Sequence, residues 1–229
     1  MDLIEHGLDE PLEHWYYSYK FDAILKALNL KISPSIRLID VGAGSALFSR
    51  QIASKFPELS VTAIDINYSE SDLLNSTKHF RFARDITGIT GEIYLMNDVL
   101  EHIDDDNTFL KSIVESAPLG ALFIFTVPTL MSLWSGHDVY LKHFRRYTKS
   151  QFLSLTKSSG LTISYSSYLF GTLYPLAFLM RKLGGKKHKS QLKKHSKITN
   201  DIIKKFLYID KRICHRLPFG ISLICVATK

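Results

Sequence analysis

The twelve residues LIDVGAGSALFS, Leu38 to Ser49, limit what this chain can fold into more than any other stretch. After a break at Ser33-Pro34, the apolar run Ile36 to Val41 reads as a buried strand that enters a glycine-rich turn. A helical stretch follows from Leu47 to Phe56, where Pro57 stops it, and a second strand, Ser60 to Ile64, ends in Asp65. Strand, tight turn, helix and strand within about 30 residues form a βαβ unit, whose strands must lie parallel.

The alternation continues. The spacing predicts a third strand over Phe80 to Ala83 ending at Asp85, a fourth over Glu92 to Met96, and a helix from Asp104 to Ser116. Leu122 to Val127 is almost wholly apolar, as a strand covered on both faces must be. A helix over Thr148 to Ser158 closes at Gly160, a sixth strand runs from Leu161 to Leu169, and a seventh from Ser222 to Thr228. The whole chain, 1–229, reads as one α/β domain with Rossmann-like order. It comprises an N-terminal helical cap over 8–30, a core over 36–169, a basic helical insertion over 171–216, and a last strand over 221–228.

With 45% hydrophobic and 22% charged residues, wholesale disorder is excluded. The acidic start MDLIEHGLDEPLEHW lacks the order of a signal peptide. The longest nearly apolar stretch, Tyr168 to Met180, falls short of the roughly 20 residues a membrane span needs. Two cysteines, Cys214 and Cys225, are too few for a disulfide scaffold, so a reducing cytoplasmic setting is expected. The net charge of +7 is uneven: Arg181 to Arg216 holds 13 Lys/Arg against 2 acids, leaving −4 on the rest.

An open parallel sheet binds its ligand at the carboxyl ends of its strands. Gly42 and Gly44 allow the sharp turn and close backbone approach there, and Asp65, 23 residues past Gly42, is placed to accept two ribose hydroxyls. That much suits any adenosine cofactor. A dinucleotide fingerprint, however, wants its third glycine where Leu47 stands, and an acid at Asp40 gains nothing beside a pyrophosphate. An ammonium-bearing cofactor with a ribose and no phosphates, S-adenosylmethionine, satisfies both objections.

The same run resembles motif I, [DE]-x-G-x-G-x-G, of the class I S-adenosylmethionine-dependent methyltransferases: Asp40, Gly42 and Gly44 match, and Ala46 replaces the third glycine. NDVLEHIDDD is similar to the D-V-L-E-H motif of the group related to ubiquinone-biosynthesis methyltransferases, and the likeness runs on through VPTLMSLWSGHDVYLKHFRRYT and LPFGISLICVATK. The resemblance implies a seven-stranded sheet with an antiparallel last strand and cofactor contacts from Asp40, Gly42, Ala43, Gly44, Asp65, Ile66, Asp85, Asn97 and Asp98. Taken singly, the glycines could serve only a tight turn, Asp65 only a helix cap, and Glu101 and His102 only the first turn of the next helix.

Past the fifth strand, SLWSGHDVYLKHFRRYT gathers acid–base and anion-binding side chains at the same sheet edge. His143 or His137 is the candidate general base, with Asp138 orienting an imidazole. Arg145, Arg146, Tyr147 and Trp134 are candidate acceptor contacts. A purely structural alternative stands beside this, in which Arg146 and Asp138 form an ion pair that pins the loop. No metal ligand set is read from the histidines.

The basic insertion has apolar anchors next to Lys186, Lys187, Lys189, Lys193 and Lys194, the combination an anionic membrane surface attracts. The expected partner is a small or lipid-linked acceptor with peripheral membrane contact; nucleic acid is disfavoured for want of a base-reading module. The expected activity is methyl transfer, most simply to oxygen. The competing reading is a non-catalytic binding module of the same fold, docking through the basic segment.

Overall fold

A computed structural model of the chain describes residues 13–28, 36–183 and 197–229. In chain order the elements are α1 (Trp15–Leu28), β1 (Arg37–Val41), α2 (Leu47–Lys55), β2 (Ser60–Ile64), α3 (Glu70–Leu74), β3 (Phe80–Ala83) and β4 (Ile93–Asn97). They continue as α4 (Asp106–Ser116), β5 (Leu122–Pro128), α5 (Gly136–Tyr140), α6 (Lys149–Ser158), β6 (Thr162–Leu169), α7 (Tyr174–Leu183), α8 (Lys197–Ile213) and β7 (Ser222–Thr228). The strands form one sheet in the order β3-β2-β1-β4-β5-β7-β6. β3 to β5 pair in parallel, and β7 runs antiparallel between β5 and β6.

This is the expected fold, with strand ends within a residue of the sequence reading. Two short helices, α3 and α5, add to the expected elements; at five residues each they carry too little periodicity to register. Both are set by capping boxes, Ser69 with Asp72 and Ser135 with Asp138. The cap is helical over Trp15–Leu28; the remainder of 8–30 falls partly outside the described residues, as do Lys186, Lys187, Lys189, Lys193 and Lys194 of the insertion.

Two apolar layers sandwich the sheet. One packs α4 and α6 against β4, β5 and β7 through Leu110, Phe123, Phe125 and Phe152. The other packs α1, α2 and part of α8 on the opposite face through Ile24, Phe48, Ile52, Leu207 and Phe170. α1 belongs to the core: Tyr17 and Tyr19 are buried, and Tyr16 stacks on Phe170 at 5.1 Å. The carboxyl ends of β1, β2, β4 and β5 meet where the order reverses between β1 and β4, which is where such a sheet holds ligands.

Candidate active site

The turn after β1 holds Gly42 (φ +69°) and Gly44 (φ +53°) in the left-handed region. A Cβ on Gly42 would lie 2.7 Å from Val99 Cγ2, so this position needs glycine both for its backbone and for the close approach of the β4 end. Ala46 also takes a left-handed conformation, φ +55°, and caps the start of α2, which explains why glycine is favoured there. Leu47 simply opens the helix.

Asp65 sits at the end of β2 with its carboxylate folded onto the same turn: Gly44 N–H donates to Oδ2 at 2.9 Å, and Asn67 donates to Oδ1. Asp40 is buried; desolvation lifts its carboxyl to about 6 against a hydrogen bond from Ser49. No described residue forms an ion pair with it. Ser45 Oγ on the turn and Tyr68 Oη after β2 are buried without a hydrogen-bond partner among the described residues. The nearby Asp40 and Asp65 carboxylates add to the burial that holds the Tyr68 phenol above its usual range. Orphaned buried donors beside two carboxylates fit a polar, cationic ligand carrying hydroxyls.

The other expected contacts lie along the same edge. Ile66 is highly exposed, and Asp85, exposed after β3, accepts from Thr87 N–H at 3.1 Å. Asn97 is buried and accepts from Thr126 Oγ1 at 2.5 Å. Asp98, in a left-handed conformation (φ +55°), forms an ion pair with Lys20, whose side chain is 0% exposed. Burial opposes the Lys20 charge, but the attraction of Asp98 overrides it and holds the ammonium above the usual lysine range. Lys20 escaped the sequence reading because a lysine on an amphipathic helix looks like surface; its partner stands 78 residues away.

The loop 134–147 is organised around one carboxylate. Asp138, 0% exposed, accepts from Arg146 Nε at 2.6 Å, from Ser135 N–H at 2.8 Å, and at 3.1 Å from His143 Nδ1. Arg181 of α7 approaches its other oxygen at 3.8 Å. Burial alone would raise the Asp138 carboxyl, but hydrogen bonds from His143 and Arg146 and the Arg146 charge leave it well below the ordinary carboxylate range. Arg146 also donates to Thr129 O at 3.2 Å, so the ion-pair alternative for Asp138 and Arg146 is the arrangement present. The same carboxylate also contacts His143 Nδ1, so one side chain meets both partners.

Arg145 is tied to the start of α4, through Asp106 at 2.8 Å and Asp104 O at 2.6 Å. Tyr147 is buried and donates to Asp106 Oδ2 at 2.6 Å. These two acceptor candidates therefore have protein partners of their own. Trp134 and His137 are half-buried in the same loop, and burial drops the His137 imidazole to about 4, leaving it a weak base at neutral pH.

His143, with a side chain only 6% exposed, meets the ring of His102 edge-on at 4.6 Å. Glu101 is 1% exposed, its Oε2 has no hydrogen-bond partner among the described residues, and burial raises its carboxyl well above the ordinary range. Potential ligand atoms of Glu101, His102 and His143 all lie within 4.8 Å of one another. The sequence reading grouped no such set, since His143 is 41 residues beyond His102.

A family profile described as a methyltransferase domain matches residues 12–165. The chain belongs to that family. It is a class I S-adenosylmethionine-dependent methyltransferase. No curated protein sequence matches it. Among solved structures, Haemonchus contortus phosphoethanolamine N-methyltransferase 2, with phosphomonomethylethanolamine and S-adenosylhomocysteine bound, is similar at TM-score 0.59 and 18% identity, over 92% of this chain and 52% of that one. Geranyl diphosphate methyltransferase in complex with SAM gives 0.59 and 12%, covering 93% and 85%. The [4+2]-cyclase SpnF gives 0.57 and 13%, covering 92% and 79%. At these identities the likeness is one of fold, and the cyclase shows that this fold also hosts other chemistry. Among the described residues no helix is long and apolar enough to cross a membrane.

Proposed function

We propose that this methyltransferase acts on an oxygen of a small or lipid-linked acceptor, with His143 as general base and Asp138 as its orienting group. The supporting observation is the 3.1 Å contact between His143 Nδ1 and Asp138 Oδ1. An ionised carboxylate only accepts, so Nδ1 is the donor in this contact, and in the neutral tautomer that fits it the lone pair lies on Nε2. Asp138 is itself held by Arg146 and the Ser135 N–H, which fixes the imidazole plane.

The bound cofactor would supply an electrophilic methyl group on a sulfonium. Asp65 is assigned to the ribose hydroxyls, Asp40 to the cationic end, and Ala43, Gly44, Ile66, Asp85, Asn97 and Asp98 to the rest of the cofactor cleft. His143 Nε2 would take the hydroxyl proton, and the methyl group would pass to the acceptor oxygen as its bond to sulfur breaks and a neutral thioether leaves. Trp134 is the candidate acceptor contact. Arg145, Arg146 and Tyr147 act as positioning residues, and His137 gives up the base role to His143.

Calorimetric titration with S-adenosylhomocysteine tests the cofactor half: micromolar binding lost in Asp65→Ala is expected, and no binding to folded wild type would overturn it. Transfer of tritiated methyl into a solvent-extracted fraction of hydroxylated lipids and glycolipids tests the rest. His143→Ala should lower turnover by about 10²-fold or more while cofactor affinity stays within a few-fold. Near-wild-type turnover would remove His143 from the mechanism.

A further inference from the structure

We infer that α7 and α8 form a docking face for an anionic membrane surface; the inference rests on the reading of a lipid-linked acceptor and gives it a place. α8 is apolar on two sides. Its inner side buries Leu207 against the body, and Cys214, just past its end, is buried too. On the outer side Ile202, Phe206 and Ile209 are each more than half exposed, and Ile213 more than a third. Spaced i, i+4, i+7 and i+11, they make one outward stripe. α7 does the same with Leu176, Leu179, Met180 and Leu183, all more than half exposed. A helix that has already met its core and still presents an ordered apolar stripe has a second apolar medium to meet.

The charge around these stripes chooses the medium. Arg181 to Arg216 contains two acids, Asp201 and Asp210. Asp210 is turned inward, accepting from Tyr19 Oη at 2.5 Å and Thr172 N–H at 2.7 Å, which leaves Asp201 alone among 13 Lys/Arg. Lys205 and Arg212 flank the α8 stripe and are exposed. Apolar anchors bordered by cations match the headgroup region of an anionic bilayer, and the positive excess opposes the approach of a second copy. The face also adjoins the site: Arg181 of α7 donates to Leu133 O beside the Asp138 loop, and Tyr19 and Asp22 tie α8 to α1, which carries Lys20 to Asp98. Docking there would set the acceptor loop beside the bilayer.

The test is co-sedimentation of the full chain with vesicles of phosphatidylcholine alone and of phosphatidylcholine with phosphatidylglycerol. Pelleting with the anionic vesicles only is expected, falling by more than about tenfold in Ile202→Ser/Phe206→Ser, which removes several buried methylenes' worth of insertion. Lys205→Gln/Arg212→Gln should weaken it similarly and lessen its salt dependence. These positions are exposed, and circular dichroism checks that the variants fold. No pelleting of wild type with anionic vesicles, pelleting unchanged in the variants, or a concentration-dependent dimer abolished by the apolar pair would each overturn the inference. Transfer of tritiated methyl to detergent-solubilised extracted lipids, measured on the same samples without vesicles, reports on the acceptor reading separately, so the two readings fail independently.

Discussion

Asp40→Asn should make the protein more stable and a poorer binder of its cofactor. Asp40 is buried behind the glycine turn, and desolvation places its carboxyl at about 6 against an ordinary 3.8. A raised folded value means the folded state holds the proton more tightly than the unfolded one. The stabilisation is complete below the unfolded value and is lost as pH rises through about 6. At pH 7 the ionised group therefore opposes folding by about 3 kcal/mol, the free-energy equivalent of that difference. Asn keeps the size and the polar contact with Ser49 while removing the charge, so urea unfolding at pH 7.5 should show a gain of about 1–3 kcal/mol that shrinks towards pH 4. Calorimetry with S-adenosylhomocysteine should show affinity falling about 10- to 100-fold, the value of one charge-assisted hydrogen bond to an ammonium. Wild type titrated at pH 6 should release a proton on binding, read as a heat that varies with the buffer. A variant less stable than wild type at pH 7.5, or an affinity unchanged, would refute the assignment of Asp40 to the cofactor's cationic end.

Further substitutions probe the framework of the site. Asp138→Ala leaves Arg146 buried without a counter-charge and removes the α5 cap, so denaturant melts should show a loss of about 3–5 kcal/mol, partly restored by Arg146→Met. Asp98→Ala should cost a similar amount because Lys20 is wholly buried, whereas Lys20→Met should cost less because the Asp98 side chain is 29% exposed; a double-mutant cycle measures the coupling, and equal single costs would contradict the burial argument. Gly42→Ala combines a left-handed backbone with a 2.7 Å approach to Val99 and should lose about 2–4 kcal/mol in thermal unfolding; adding Val99→Ala should relieve the contact but not the backbone strain.

The sheet was legible because its central strands announce themselves by local means, as apolar runs bounded by Gly, Pro or an acid. Asp65 and the glycine turn were legible for the same reason, since a βαβ unit brings residues about 20 apart to one edge. α3 and α5 were not, because a five-residue helix set by a capping box has no periodicity to detect. Ser45 and Tyr68 were equally silent: nothing in their spacing says that a hydroxyl will be buried without a partner. For Asp138, the fold brings Arg146 and His143 to a single carboxylate, an arrangement that a string of letters cannot express.

The deepest omission was Lys20, and its partners explain what the N-terminal helix does. A buried ammonium is tolerated only beside a fixed anion, and Asp98 is held for it by a left-handed backbone and by the Thr126 hydroxyl at 3.2 Å. α1 is also bound on its other side to α8, through Tyr19 to Asp210 and Lys211 to Asp22. The helix is thus a strut between the end of β4 and α8. A displacement of α8 would load the Lys20–Asp98 pair through the same helix, because Tyr19 and Asp22 anchor it to α8 while Lys20 anchors it at the end of β4. Lys20 then belongs to the interior rather than to the surface, and α1 is the part that joins the end of β4 to α8.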